Sequence, residues 1–446
     1  MLSLWRKSSN LRFLLVKLQL DHILSFPEPL DSLDALDNLP PNIDSAYLSV
    51  MERIGKAKTK ATVVKALSWI LHSRRPLSID ELLGAIAIRP FRPTSLQPKF
   101  FILPDSLVRY CQGLIVIDDD DTVRFTHYTV REFFAKIYLD QLLTHIDLAK
   151  VCLTYLIVDD LETLRSVESW SIFDDAIHPF AEYAATYWGS HTRGAGEAGP
   201  DVFKAAANLL ASQEKRAALR EYQINLAARE SWPFPDSSDH DMSKVASTPL
   251  HFIAQEGLSM IYETLASSLQ TVPMKPPTSG LSFHVGNNYV ETELCADALR
   301  RFDSTDDENR TPLMVAIMYS HHEMVDALLT AGADPNTRAG SGWNTTALHT
   351  AAMLGDERII MLLLEHGTDR EAKDAEDGCT PLLLACAKGQ KTAVETLLKA
   401  GVNANARDAE GCTALHYLAE ADEWESFDFP GDNDLENPDY NIHIQS

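Results

Sequence analysis

The sequence has no apolar run of the roughly 18 residues that a spanning helix requires, so no membrane span is expected. It is poor in cysteine: six in 446 residues, none of them in a C-x-x-C pair. That pattern excludes a disulfide scaffold and the usual zinc knuckles, and it reads as reduced thiols in a cytoplasmic protein. Positive charge is scarce too, with 39 Lys and Arg against 64 Asp and Glu and a formal net charge of −25. A field of that sign repels phosphate backbones and anionic lipid surfaces, so neither nucleic acid nor membrane is an expected partner. Gly 20 and Pro 22 are too few for a collagen or a wholly disordered chain.

Catalytic signatures are missing as well. A phosphate-cradling G-x-x-x-x-G-K-[ST] loop is absent, because Gly55-Lys56 lacks the preceding glycine. There is no G-x-S-x-G elbow and no H-E-x-x-H pair, and His321-His322-Glu323 has the wrong spacing for helix-borne zinc ligands. The run Asp118–Asp121 lacks the glycine turn and late glutamate of a calcium loop and reads as a hairpin turn. The expectation is therefore no enzyme, no cofactor and no metal, and no small-molecule ligand. The first twenty residues carry Arg6, Lys7, Arg12 and Lys17 without an acid. Charge interrupts Leu11–Leu20 in a way that favours a plain amphipathic helix over a targeting segment.

What is present is self-similarity in the last third. Units begin at Thr311, Thr346, Thr380 and Thr413, spaced 35, 34 and 33 residues apart. Another start, TPLHFIAQEGLSMIYETLASS, stands at Thr248, 63 residues before Thr311. The gap holds either a degenerate repeat or an insertion. In each unit Thr suits an N-cap, and where Pro follows, after Thr248, Thr311 and Thr380, it loses no helical hydrogen bond. Small residues such as Ala351 and Ala352 permit close stacking, and Gly355 and Gly389 end the first helix. The second helix carries Leu328–Leu329, Leu362–Leu363 or Leu397–Leu398, and Gly332, Gly367 or Gly401 then stops it. Asp377–Gly378 and Glu410–Gly411 suit tight tips. One such hairpin cannot bury its apolar face alone, so neighbours stack.

These units resemble ankyrin repeats, with the T-P-L-H and G-A-x-x-N landmarks largely in place and several positions in register over three consecutive units. Ser320 departs from the pattern by standing where Gly is expected, and the tip from Arg338 to Asn344 is long. The resemblance implies protein binding through the tips and the concave face. Mapped onto this chain, that face is Met318, Tyr319, Met353, Leu354, Lys388 and Tyr417, and the tips are Arg338, Trp343, Lys373 and Arg407. Trp343 ranks first among them, because Trp and Arg concentrate binding energy. Cys386 falls at a small inward position and reads as core.

Residues 46–145 have another rhythm. Helical patterning covers Tyr47–Ile54 and Val63–His72, and Ser78 with Glu81 forms a capping box for a third helix. After a proline-rich loop, a helix is expected over Asp105–Gln112, then a hairpin of GLIVI and TVRFTHY, then a helix in TVREFFAKIYLDQLL. Three helices and a hairpin give the order of a winged helix. Residues about 1–190 resemble the region after the nucleotide-binding core in fungal NACHT–ankyrin proteins. The strings LQLDHI, LDNLPPNIDSAYLSVMERI, LHSRRPLSIDELLGAIAI, LVRYCQGLIVIDD, VRFTHYTVREFF and HPFAEYAATYWGSH carry that resemblance. In this family the histidine matching His127 reaches a nucleotide phosphate. With no phosphate loop in the chain, a vestigial or structural role for His127 is favoured over ligand contact.

The fold expected is mainly α: a winged-helix-like domain plus a helical spacer, followed by an ankyrin-repeat solenoid. The divisions are 1–45 (helical tail of a NACHT-type region), 46–145 (winged helix), 146–235 (spacer and linker), 236–420 (repeats) and 421–446. The last segment belongs to a stretch after Arg407 with eleven acids and no Lys or Arg, and it reads as disordered. The function expected is non-enzymatic protein–protein interaction in NACHT–ankyrin type signalling. One alternative is the C-terminal part of an ATP-driven oligomerising switch whose NTPase core lies upstream. Another, DNA binding by the winged helix through Asp105–Gln112, is disfavoured because Arg109 is that helix's only base and the wing carries four Asp.

Overall fold

The computed structural model describes residues 15–20, 39–91, 102–157, 179–194, 199–220, 247–271, 280–285, 288–295, 299–339 and 344–420. Most of the 1–45 tail, residues 221–246 where the spacer and linker meet the repeats, Trp343 and the segment 421–446 lie outside them. The chain forms two compact units, 1–195 and 196–446, so the stretch read as spacer is shared between them.

In the first unit, α1 (Ile43–Lys56) starts at Asn42, whose side chain accepts the Ser45 N–H at 2.8 Å. Its buried residues Ala46, Tyr47, Val50, Met51 and Ile54 recur at helical spacing and form one apolar stripe. α2 (Lys60–His72) buries Val63, Ala66, Leu67 and Trp69. α3 (Ile79–Ala87) carries the expected capping box: the Glu81 N–H donates to Ser78 Oγ at 3.2 Å, and the Ser78 N–H donates to Glu81 Oε2 at 2.8 Å. Arg75 holds the same carboxylate from the other side at 2.6 and 2.8 Å, so the buried charge is fully partnered.

α4 (Pro104–Tyr110) begins with Pro at its first turn. Strands β1 (Leu77–Ser78), β2 (Ile115–Ile117) and β3 (Thr122–Phe125) form an antiparallel sheet in the order β1-β3-β2. Here the structure corrects the sequence reading. The strand in TVRFTHY stops at Phe125, because His127 is the N-cap of α5 (Tyr128–Lys136). That helix also ends early, giving way to a 3-10 turn at Leu139–Gln141.

α6 (His145–Ile157) and α7 (Ala181–Gly194) pack on one another. Trp69 of α2 lies edge-on to Phe180 (5.2 Å), Tyr183 (5.7 Å) and His191 (5.7 Å). Three histidines from three helices meet in this seam. His145 Nδ1 and His191 Nδ1 are 3.0 Å apart, and the His72 and His145 rings are 4.8 Å apart. The Tyr183 hydroxyl lies 2.9 Å from His191 Nε2 and accepts the Arg74 N–H at 3.1 Å.

The second unit opens with α8 (Pro200–Ala211) and further helical residues at 213–220. Helix pairs then follow: α9 (Pro249–Gln255) with α10 (Ser259–Thr271), α11 (Pro312–Met318) with α12 (His322–Thr330), α13 (Ala347–Leu354) with α14 (Glu357–Glu365), and α15 (Pro381–Ala387) with α16 (Lys391–Lys399). α17 (Ala414–Glu420) follows as a first helix. First helices stack in the order α9, α11, α13, α15, α17, and second helices stack from α10 to α16. The gap before Thr311 contains an inserted hairpin, β4 (Gly280–Val285) and β5 (Asn288–Cys295). β4 lies against α10 and β5 against α8, while α9 still stacks on α11, so the insertion leaves the array continuous.

Candidate functional site

The repeat motif does its work through the fourth residue of T-P-L-H. His349 Nδ1 accepts the Thr346 N–H at 3.2 Å, and its Nε2 lies 3.1 Å from the Cys379 carbonyl of the next unit. His251 bonds Thr248 (3.1 Å) and the Arg310 carbonyl (3.0 Å) in the same way. A carbonyl only accepts, so Nε2 carries the proton and each ring is neutral. Burial pushes the pKa of both rings down. A second contact joins the inter-helix turns. His321 Nε2 lies 2.8 Å from the Gln255 carbonyl, and Gln390 Nε2 donates to the Met353 carbonyl at 3.1 Å.

These links join α9 to α11 and α13 to α15, and between α11 and α13 His322 Nε2 lies 3.0 Å from Asp356 Oδ2, so the last residues of the first helices fall in one row. Met318 (43 % exposed), Tyr319 (48 %) and Leu354 (45 %) are bare there, Met353 is half-buried, and Lys388 is exposed at the same register one unit on. The Tyr319 ring stacks on the His321 ring at 6.1 Å. Beside it Arg310 binds Asp306 (2.7 and 2.9 Å) and Glu308 (2.8 Å), and Arg220 binds Glu308 (2.8 Å). The rim of the row is therefore fixed by charge pairs, while its centre is apolar.

The tip cations have structural partners. Arg338 Nη1 donates to the Lys373 carbonyl at 2.6 Å, and Lys373 Nζ donates to the Arg407 carbonyl at 2.7 Å. Arg407 closes the run on the Gly411 carbonyl at 2.7 Å. Sequence reading placed these residues at the tips but missed this tip-to-tip ladder. Its signal is a cation recurring 35 and then 34 residues on. Asp306, Asp374 and Asp408 hold the tips from within, each accepting two backbone N–H groups. Ala339 stands at that position in the long tip without a side-chain acceptor, and its carbonyl accepts the Thr345 hydroxyl at 3.3 Å. Tyr417 is half-buried, and its hydroxyl donates to Asp408 Oδ2 at 2.7 Å.

His127 is engaged as a cap: the Thr129 N–H donates to its Nδ1 at 3.3 Å, and the Thr129 hydroxyl lies at 2.8 Å. Beside α4 an open groove of about 590 Å³ is lined by Asp105, Val108, Arg109, Val116 and Ile117. Arg124 on the wing is paired with Asp118 at 2.6 Å. Among the described residues no His, Cys, Asp and Glu cluster has the makings of a metal site, and no helix is long and apolar enough to cross a membrane.

A family model described as ankyrin repeats matches in three overlapping copies, over residues 232–339, 281–374 and 348–428. The repeats are ankyrin repeats. A second model, described as the winged helix domain of GPI inositol-deacylase, matches residues 48–145, so the N-terminal unit holds a winged-helix domain of that type. Among curated proteins, E3 ubiquitin-protein ligase KEG of Arabidopsis thaliana is 37% identical over 99 residues, covering 22% of this chain and 6% of that protein. Protein PhlB of Serratia liquefaciens is 38% identical over 113 residues, 25% of this chain and 49% of its own length. Inversin of Canis lupus familiaris is 39% identical over 119 residues, 26% of this chain and 11% of its own. The chain thus spans less than half the length of these relatives. The ankyrin array is a protein-interaction fold.

Proposed function

We propose that this chain is a non-enzymatic, cytoplasmic interaction protein of the NACHT–ankyrin signalling type, which binds a protein partner on the concave row of its array. The observation that carries this reading is the run of Met318, Tyr319 and Leu354, exposed and apolar at the ends of adjacent first helices, whose units are joined by His322 and Asp356 at 3.0 Å. Adjacent packed helices sit about 8–10 Å apart, so a partner meets a preformed surface and little ordering entropy is lost on binding. Met353 and Lys388 extend the row, and Arg338, Lys373 and Arg407 border it at the tips. Because their charged groups already serve the ladder, the tips contribute shape and rim polarity, and the concave row contributes affinity. Trp343, in the long tip, belongs to the same proposed surface.

The acidic charge and the Arg124–Asp118 pair favour a protein partner over nucleic acid. The cap made by His127 favours a structural role for that ring. The test is affinity capture from native cell extract with the full chain as bait. Tyr319→Ala with Leu354→Asp is expected to abolish capture of the specific partner, and Arg338→Ala to leave most of it. Capture indifferent to the concave pair but lost with the tip change would overturn the assignment.

A further inference from the structure

Within the N-terminal unit, the winged helix and the α6–α7 pair meet on a set of aromatic and imidazole rings. Trp69 of α2 stands edge-on to Phe180, Tyr183 and His191. His72, the last residue of α2, faces His145, the first of α6. His191 has no exposed surface, and both of its nitrogens are engaged, Nε2 with the Tyr183 hydroxyl at 2.9 Å and Nδ1 with His145 Nδ1 at 3.0 Å. Tyr183 is equally buried, and its oxygen accepts the Arg74 N–H at 3.1 Å. Its own proton therefore needs an acceptor, which His191 Nε2 supplies. The proton of His191 then sits on Nδ1, and His145 Nδ1 accepts it. One proton fills each contact, and both imidazoles are neutral.

That chain has no place for another proton. On His191 it would occupy Nε2, strand the Tyr183 hydroxyl and leave a cation in a site closed to water. On His145 Nδ1 it would set N–H against N–H. His72 Nε2 is buried with no hydrogen-bond partner among the described residues, so a proton there gains no acceptor. The surrounding charges act in the same direction. Arg74, whose guanidinium donates to the Ser190 carbonyl at 3.1 Å, repels a proton on any of the three rings. Glu81 and Glu182 pair with Arg75, which lies over the Tyr183 ring at 5.4 Å. Cys152 of α6 and Tyr187 of α7 act on Tyr183. Burial first, and then these cations, hold the rings below the ordinary histidine range. The docking they support is intact above about pH 6.5 and weakens as the pH falls. We propose that the seam is an acid-operated latch: protons taken up by His191, His145 and His72 release the α6–α7 pair from the winged helix. The winged helix retains a core of its own in Tyr47, Phe133 and Phe134, and α6 and α7 remain packed on one another.

The test is hydrogen–deuterium exchange of the full chain between pH 7 and pH 5, corrected for the intrinsic pH dependence of amide exchange. Peptides spanning 145–157 and 181–194 are expected to exchange at least about tenfold faster at pH 5, while α1 holds its protection. Two substitutions outside the buried centre separate the latch from general acid unfolding. His145→Gln, at a half-buried position, removes one proton acceptor and is expected to flatten the acid response. Arg74→Gln, at an exposed position, removes the fixed cation and is expected to move the midpoint of the response to lower pH. Plain destabilisation by the same change moves it to higher pH. Acceleration that is absent at pH 5, that runs equally through α1, or that keeps its size and midpoint in both variants overturns the proposal. A midpoint that rises in Arg74→Gln overturns it too.

Discussion

His349 is a neutral ring with both nitrogens used and no exposed surface, and His251 is nearly the same. In the N-terminal unit burial pushes His72 down to about 4 and His191 down to about 3, and it lowers His145 as well. Folded-state values below the ordinary value near 6.5 mean that the unfolded chain takes up protons first as the pH falls. Stability is intact above about pH 6.5 and declines below it. For a fully buried ring such as His191 the loss is about 1.4 kcal/mol per pH unit, so roughly 2 kcal/mol at pH 5. Urea unfolding followed at pH 7 and pH 5 checks this, and equal midpoints would contradict it. Ser320 is a second residue-scale case. It adopts φ 52°, where Gly257, Gly355 and Gly389 adopt 62°, 78° and 68°. A left-handed non-glycine residue costs about 1–2 kcal/mol, offset in part by the entropy that glycine loses. Ser320→Gly is expected to stabilise the array by about 0.5–1 kcal/mol in denaturant melts.

At the scale of elements, the parts legible in the sequence were those written in local spacing. Ser78 and Glu81 are three residues apart and give the capping box directly. The Thr starts give the first helices, and the paired leucines give the second. What spacing does not carry was missed. The hairpin β4–β5 has no counterpart in the repeat period, so the gap before Thr311 looked equally like a degenerate unit. His127 continued an alternating strand pattern, but its imidazole accepts the Thr129 N–H and starts α5 instead. The seam of His72, His145 and His191 joins positions from three helices, and tertiary packing alone brings them together. The tip ladder gives a prediction of its own. Arg338 is exposed and donates to a carbonyl, so Arg338→Ala is expected to cost under about 1 kcal/mol in thermal or denaturant melts. Ser78→Ala, which frees the Glu81 N–H at a part-buried cap, is expected to cost about 1 kcal/mol or more in the same measurement.

Across the whole molecule, each unit has its own core, and the concave row belongs wholly to the second. The apolar centre and the charge-paired rim make one surface of the array suited to a protein. A formal net charge of −25 also sets up a field that repels phosphate backbones, which agrees with the proposed protein partner. Leu354→Asp changes an exposed side chain, so it is expected to leave the melting profile within about 0.5 kcal/mol while removing partner capture. The most direct measurement is hydrogen–deuterium exchange of the full chain with and without its captured partner. Slowed exchange is expected in peptides spanning 315–322 and 350–356, with the winged helix unchanged. Protection confined to residues 48–145, with the array exchanging as in the free chain, would contradict the account.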